Sequence, residues 1–174
     1  MDSRGEVLLD AGQIAARVEA LAKEIAPRID ADTIAVCLLT GGLWFAADLT
    51  RALSRQGLDL AFDALWIASY GNERETSGRV LLRAGLQRPV EGRRVLVIDD
   101  VIDSGLSLLE ARRLLVDAGA TEVLTCAFAR KPWPEPRPIV CDFVAWEAPG
   151  RFLVGYGMDV AGRMRGMPDV LALD

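Results

Sequence analysis

Histidine is missing from this 174-residue sequence, and lysine is scarce, since only Lys23 and Lys131 contribute to a total of 20 basic residues. Without histidine the chain cannot build a Ser-His-Asp triad, a Cys-His pair or a histidine metal site. Cys37, Cys126 and Cys141 lie far apart with no CxxC pair, which argues against zinc binding and indicates reduced, buried thiols. Any catalysis must therefore use carboxylates, arginines, the two lysines, backbone amides or a hard cation.

Signals for export, membrane insertion and nucleic-acid binding are also missing. The first ten residues, MDSRGEVLLD, contain no apolar signal-peptide core, and no uncharged apolar stretch is long enough to span a bilayer. A net charge of −5 provides no general basic footprint for nucleic acid. We therefore expect a cytoplasmic protein with neither nucleic acid nor a membrane as its partner.

Apolar and polar residues follow one another in segments typical of an α/β protein. Helices are predicted at 11–26, 41–57 and 105–120, and strands at 33–40, 60–69, 80–84, 93–99 and 122–130. Residues 70–79 are polar and flanked by glycines, which predicts an exposed, mobile loop, and short extended pieces follow a proline-rich connection at 130–138. Strands alternating with helices predict a mostly parallel sheet, and the absence of a linker predicts one domain, residues 1–174.

The stretch VLVIDDVIDSGLSL, residues 95–108, combines a buried strand, three carboxylates and a turn of small residues. In open α/β sheets ligands bind at the carboxyl ends of the strands, where Asp99 and Asp100 are expected. The turn from Asp103 to Ser107 leads into a helix N-terminus, whose free N–H groups suit a phosphate. Carboxylates beside it can accept hydrogen bonds from ribose hydroxyls or hold a hydrated Mg²⁺. The pattern therefore predicts a site for a sugar phosphate and a metal.

Three other interpretations fit this stretch less well. A helix-capping turn with solvated acids would be favoured by a single aspartate, whereas the stretch contains three. A Walker A loop requires GxxxxGK[ST], which the sequence lacks. A receiver-like phosphoaspartate site needs an acid pair near the N-terminus, and none follows the first predicted strand.

The same stretch resembles the ribosyl-pyrophosphate binding motif of the type I phosphoribosyltransferases. LLTGGLWFAADL, ASYGNERETSG, ARKP and RFLVGYGMDVAGRMR occur in the order seen in the hypoxanthine-guanine branch of that family, so the resemblance spans residues 7–174. It implies the type I phosphoribosyltransferase fold, with a core of a mostly parallel sheet flanked by helices at about 10–130. A small base-binding hood would come from residues 131–174 and the N-terminal segment, and the protein would be a homodimer or homotetramer.

The resemblance also implies a reaction. The enzyme would use Mg²⁺ to transfer the phosphoribosyl group from 5-phosphoribosyl-1-pyrophosphate to N9 of hypoxanthine or guanine, giving IMP or GMP and pyrophosphate in purine salvage. Asp103 would act as the general acid/base near purine N7. The ribose phosphate would be bound by Asp99, Asp100, Ser104, Gly105, Leu106 and Ser107.

The remaining implied site residues surround these. The pyrophosphate loop, where the family often has a cis non-proline peptide, would be Leu39, Thr40 and Gly41, and Arg165 would neutralise pyrophosphate. The purine would be bound by Lys131, Phe152, Leu153 and Asp159. The metal ligands would be Asp99, Asp100 and Asp159. Ser69 and Tyr70 match the dipeptide on the mobile loop that closes over the active site.

Two departures from the family pattern and two alternative functions stay open. Asp99 replaces the more usual glutamate, and Thr40 replaces a frequent lysine, so the pyrophosphate loop lacks that charge.

One alternative is a regulatory protein of the same fold that binds RNA or DNA, which the acidic net charge disfavours. The other is a phosphoribosyltransferase for another base such as xanthine. Adenine is disfavoured because Lys131 and the adenine 6-amino group are both donors.

Overall fold

A computed structural model describes residues 5–69 and 80–173. The helices are α1 (Ala11–Ile25), α2 (Leu43–Arg55) and α3 (Leu106–Asp117), and a 3₁₀ turn at Ala26–Arg28 follows α1. The strands are β1 (Glu6–Leu9), β2 (Ile34–Leu39), β3 (Ala61–Ser69), β4 (Val80–Ala84), β5 (Arg94–Ile102), β6 (Glu122–Arg130), β7 (Phe143–Glu147), β8 (Phe152–Val154) and β9 (Val170–Leu173). All the predicted helices and strands are present within a few residues. None of these helices is long and apolar enough to cross a bilayer.

Six strands form the main sheet in the order β4-β3-β2-β5-β6-β7. Neighbours pair in parallel except β3 and β4, which are antiparallel. Because successive side chains of a strand point to opposite faces, Ala35 and Cys37 pack with the cluster that contains α1 and α2, and Ile34 and Val36 pack with α3. The predicted mostly parallel sheet flanked by helices is confirmed.

Strand β5 continues three residues beyond its predicted end, to Ile102. Its final part pairs with β6, where Val101 lies opposite Ala129. The prediction that Asp99 and Asp100 stand at the end of this strand is therefore wrong, since both lie within it. The parallel neighbour β6 supplies backbone partners to this polar segment, and hydrophobicity along the sequence does not reveal such partners.

A second sheet of three antiparallel strands, ordered β1-β9-β8, combines the N-terminal segment with the C-terminal part of the chain. The sequence pattern did not predict β1, whose four residues are too few to show a periodicity. Helix α1 follows it, and Asp10 caps this helix: its carboxylate accepts a hydrogen bond from Gln13 N–H at 2.8 Å, and Gln13 Oε1 accepts one from Asp10 N–H at 3.0 Å. Such a cap stabilises a helix by about 1 kcal/mol. Ala11 N–H also donates to Asp169 Oδ1 at 2.9 Å, which ties α1 to the second sheet.

Two predicted residues of the mobile loop lie at the edge of what the structure describes. Ser69 is the last residue of β3, and its backbone pairs with Val80 of β4. Tyr70, with the rest of the predicted loop at 70–79, lies outside the described residues.

Candidate active site

A cleft of about 340 Å³ opens where β5 ends and α3 begins. Asp99 and Asp103 line it together with the turn at 104–107, and Trp133 forms another part of its wall. The structure therefore brings together all the predicted ribose-phosphate residues except Asp100, which lies beside Asp99 in β5.

The turn at the start of α3 exposes backbone donors to this cleft. Gly105 precedes the helix with a φ of +83°, a conformation that glycine adopts without the steric cost of a Cβ. The first N–H groups of an α-helix lack acceptors within the helix. Of these, Leu106 N–H makes a long hydrogen bond of 3.4 Å to Ser104 Oγ. The turn can therefore bind an anion through backbone amides.

Asp103 and Lys131 form an ion pair beside the cleft, with 3.5 Å between Asp103 Oδ1 and Lys131 Nζ. The Asp103 side chain is 51% exposed and the Lys131 side chain is 17% exposed. Lys131 directly follows β6, and its N–H donates to Ile102 O at 3.1 Å, which keeps it next to the end of β5. The pair offers a hydrogen-bond acceptor and a donor side by side to a ligand in the cleft.

Asp99 and Asp100 are adjacent, half-buried carboxyls of β5. Burial raises the pKa of Asp99 well above its usual value, and the nearby Asp100 charge raises it further. Burial also raises the pKa of Asp100, against the opposing effects of hydrogen bonds with Asp99 and the Val101 N–H and of the Arg165 charge. Two adjacent carboxylates with too little positive charge nearby to balance their own charge suit a hard divalent cation. Within residues 5–69 and 80–173 no three Cys, Asp or Glu side chains cluster as a metal site, so this pair would supply two ligands.

The loop between β2 and α2 packs directly against Asp100. The Leu39–Thr40 peptide is cis, as the resemblance implied for this loop. Gly41 lies so close that a Cβ on it would be 1.8 Å from Asp100 Oδ2. Gly157, in the loop after β8, approaches the same loop, and a Cβ on it would be 2.1 Å from Gly41 O. Only glycine fits at these two positions without movement of the backbone or of Asp100.

Arg165 and Asp159 lie in the loop that follows β8. Arg165 Nη2 is 2.6 Å from Asp159 Oδ1, and Arg165 Nη1 donates to Gly157 O. The Arg165 charge also lowers the pKa of Asp100, so this guanidinium acts on the acidic pair of β5. Asp159 is thus ion-paired with Arg165. Arg165 also links this loop to Gly157 by a hydrogen bond and to Asp100 through its charge.

Phe152 and Leu153 begin β8 in the second sheet. Phe152 is 49% exposed, whereas Leu153 is buried. The N–H of Ala148 donates to Arg130 O at 2.9 Å, which ties the segment before β8 to the residue before Lys131. The exposed face of Phe152 is available for stacking, and Leu153 could contribute only its backbone.

Comparisons with known proteins agree with this geometry. The family model of the phosphoribosyl transferase domain matches residues 5–160. The chain is 34% identical to the hypoxanthine-guanine phosphoribosyltransferase of Mycobacterium avium, over 97% of this chain and 85% of that protein. It is 35% identical to that of Bacillus subtilis, over 94% of this chain and 89% of that protein. The chain belongs to the hypoxanthine-guanine phosphoribosyltransferase family.

The solved structures agree with this assignment. The hypoxanthine-guanine phosphoribosyltransferase of L. donovani matches with a TM-score of 0.90 and 28% identity, covering 100% of this chain and 98% of that one. The type I phosphoribosyltransferase fold and the family predicted from the sequence are therefore confirmed.

Two side chains of the proline-rich segment contact the site of this phosphoribosyltransferase, one in the cleft wall and one behind it, although sequence reasoning missed them. Trp133 lines the cleft beside the start of α3. Arg137 donates from Nε to Asp103 O at 2.7 Å and from Nη2 to Lys131 O. Their position shortly after Lys131 was the available signal, but an irregular segment has no periodicity that shows where its side chains point.

The buried thiol nearest the acidic pair is not a nucleophile of this phosphoribosyltransferase. Burial, followed by the charges of Asp99 and Asp100, raises the pKa of Cys37 to about 12. The thiolate is the nucleophilic form of cysteine, so a thiol that stays protonated at neutral pH is unreactive. Cys37 instead packs in the core beneath the site.

Proposed function

We propose that this enzyme transfers the 5-phosphoribosyl group from 5-phosphoribosyl-1-pyrophosphate to N9 of hypoxanthine or guanine, giving IMP or GMP and pyrophosphate in purine salvage. The observation that carries the proposal is the Asp103–Lys131 pair, 3.5 Å apart, beside the anion-binding start of α3. A 6-oxopurine presents a ring N–H and a carbonyl oxygen on neighbouring parts of one rigid ring system. The pair supplies the matching acceptor and donor.

The ribose phosphate would bind along β5 and the start of α3. The backbone N–H groups at 104–107 would hold the 5-phosphate. Asp99 and Asp100 would accept hydrogen bonds from the ribose hydroxyls and hold Mg²⁺, which the adjacent carboxylates with raised pKa values support. Asp159 would provide a carboxylate for a second Mg²⁺. When bound, Mg²⁺ supplies positive charge that stabilises the pyrophosphate leaving group.

The pyrophosphate would lie on the backbone of Leu39, Thr40 and Gly41. Thr40 carries no charge; among residues 5–69 and 80–173, Arg165 brings a cation near the loop through its contact with Gly157. This arrangement replaces a lysine on the loop itself by a guanidinium from the loop after β8.

The purine would lie between the cleft and the second sheet. Lys131 would donate to the 6-oxo group, Phe152 would stack on the ring, and Leu153 would contact its edge through the backbone. Residues 1–174 would then act as one domain in which the second sheet forms a hood over the base.

The reaction needs one bond exchange at the ribose and one proton transfer. The N9 lone pair forms the C1′–N9 bond while the C1′–O bond to pyrophosphate breaks. The proton on N7 passes to the Asp103 carboxylate, so charge does not build up on the base. Proton transfer of this kind contributes about 10²- to 10⁴-fold to a rate.

A base panel tests the proposal. Purified protein with 5-phosphoribosyl-1-pyrophosphate and Mg²⁺ is expected to convert hypoxanthine or guanine to the monophosphate, and EDTA is expected to stop the reaction. Turnover of xanthine or adenine alone would overturn the base assignment. Binding of the ribosyl donor without turnover of any base would favour the regulatory alternative.

The close packing of Gly41 gives a second test. Gly41→Ala is expected to lower kcat/KM for the ribosyl donor by about 10- to 100-fold, because overpacking costs about 1–3 kcal/mol. The new Cβ would occupy the place of the Asp100 carboxylate. Kinetics at varied donor concentration measure the effect. Gly166→Ala is the matched control, since a Cβ there meets no atom within 4 Å; equal losses in both variants would contradict the prediction.

We further propose that the enzyme works in the cytoplasm as a homodimer or homotetramer. The ribosyl donor is a polyanion, and charged groups cross an apolar bilayer only at high cost, so an enzyme that consumes it works where it is made. The oligomeric state rests on the family resemblance. Neither nucleic acid nor a membrane is part of this proposal.

A further inference from the structure

We infer that Arg137 is a positioning residue that holds Asp103 and Lys131 at a fixed spacing, an inference that rests on the function proposed for this pair. Its Nε donates to Asp103 O at 2.7 Å, and its Nη2 donates to Lys131 O. One carbonyl belongs to the turn after β5 and the other to the residue after β6. A single planar guanidinium therefore joins the two loops that carry the acid/base group and the purine donor.

The surroundings of Arg137 keep this guanidinium in place. Arg137 lies between Pro136 and Pro138, and proline restricts both its own φ and the conformation of the preceding residue. The Arg137 Cδ would be 3.7 Å from a Cβ on Gly105, so the side-chain stem packs over the turn that starts α3. The contact thus reaches a third part of the site, the start of the phosphate-binding helix.

Direct contact between Asp103 and Lys131 does not hold them at their spacing. Their 3.5 Å separation exceeds the 2.7–2.9 Å of a short charge-assisted hydrogen bond. Asp103 is half exposed, and such ion pairs contribute little. Their spacing is therefore set by the backbone, and the Arg137 bonds fix that backbone on both sides. Because N7 and the 6-oxo group belong to one rigid base, both protein groups must be correctly placed at once.

Removal of this guanidinium should affect turnover more than donor binding. Arg137→Ala is expected to lower kcat by about 10- to 100-fold, since a shift of about 1 Å in a reacting group can cost about 100-fold. The KM for the ribosyl donor should change less than kcat, because the carboxylates of β5 remain in place while the amides of the turn are only loosened. Arg137→Lys should give an intermediate kcat, because an ammonium lacks the fork that reaches both carbonyls.

Arg93 offers a matched control at the opposite end of β5. Its Nε and Nη2 donate to one backbone carbonyl, Asp32 O, at 2.8 and 2.6 Å. Arg93→Ala and Arg137→Ala therefore remove contacts of the same kind, and similar losses of melting temperature are expected. A kcat loss in Arg137→Ala alone supports the inference. Equal kcat losses in both variants, or a raised donor KM with unchanged kcat, would overturn it.

Hydrogen exchange tests this inference even if the proposed function is wrong. Amides at 103–108 and 129–131 should exchange faster in Arg137→Ala than in the wild type, and not in Arg93→Ala. If the wild type makes no IMP or GMP, the proposed function fails, and the exchange rates still decide whether Arg137 orders the two loops. If the wild type turns over and Arg137→Ala matches it, only the inference fails. Unchanged exchange at these amides overturns it in either case.

Discussion

Asp103→Asn is expected to lower kcat by about 10²- to 10⁴-fold, the usual contribution of general acid/base catalysis. Asparagine keeps the shape of aspartate but cannot accept the N7 proton. The fold should be unaffected, because the Asp103 side chain is 51% exposed and its contact with Lys131 is long. Formation of IMP and GMP at saturating substrates, with a melting curve for each protein, measures both effects.

Asp117→Asn is the control for this variant. Asp117 is also an exposed, ion-paired aspartate, 62% exposed and 2.8 Å from Arg113 Nη1, but it lies at the far end of α3. Its removal should leave kcat unchanged. Near-normal turnover in Asp103→Asn would contradict the acid/base role and leave Lys131 as the main polar group acting on the base.

Asp99→Asn is expected to abolish most activity and yet raise the melting temperature of the Mg²⁺-free protein. The wild type holds a half-buried carboxyl next to Asp100, and both its burial and the Asp100 charge disfavour its ionisation. Asparagine removes the charge while its Oδ1 can still accept the 3.0 Å hydrogen bond from Asp100 N–H. The melting temperature is therefore expected to rise; for a domain of this size, each 1 kcal/mol gained corresponds to about 2–4 °C.

The gain in melting temperature of Asp99→Asn over the wild type should increase with pH. A raised pKa means that folded Asp99 keeps its proton to a higher pH than unfolded aspartate, whose pKa is about 3.9. As the pH rises from that value towards the folded pKa, the wild type loses stability that the variant keeps. Above the folded pKa the difference is constant. The gap in melting temperature should therefore be smallest near pH 4 (about the unfolded pKa) and larger near pH 8.

Melting curves in EDTA across this pH range measure the gap. Asp32→Asn serves as the control, because the Asp32 side chain is 94% exposed and its removal should leave the pH dependence as in the wild type. A gap between Asp99→Asn and the wild type that narrows as the pH rises would contradict burial as the cause. Added Mg²⁺ should stabilise only proteins that keep the carboxylate pair.

Elements that carry a local signal could be predicted from the sequence. Helix α1 has Asp10 as its cap and apolar residues repeated along one face, and β2 and β6 are continuous apolar runs buried on both sides. The turn that starts α3 was predictable for the same reason, because Ser104, Gly105 and the following helix are neighbours in the sequence.

The rest depends on contacts between distant parts of the chain. The extension of β5 through Asp99 needs β6 beside it, and β1 exists only because β9 pairs with it. The approach of Gly157 to Gly41 and the two bonds of Arg137 join segments that no periodicity relates. A sequence pattern can propose such residues, but their partners are set by the packing of the whole domain.

The pairing of β1 with β9 also sets an order of events during synthesis. Glu6 lies opposite Ala172 and Val7 opposite Leu171, so the first strand is paired with a segment made much later. Proteins emerge from the ribosome N-terminal part first. The main sheet has all its strands once Glu147 has emerged, whereas β1 must wait for β9. A nascent chain can therefore form the cleft at the start of α3 before the second sheet can close. Under the proposed function, it would acquire recognition of the purine after binding of the phosphate.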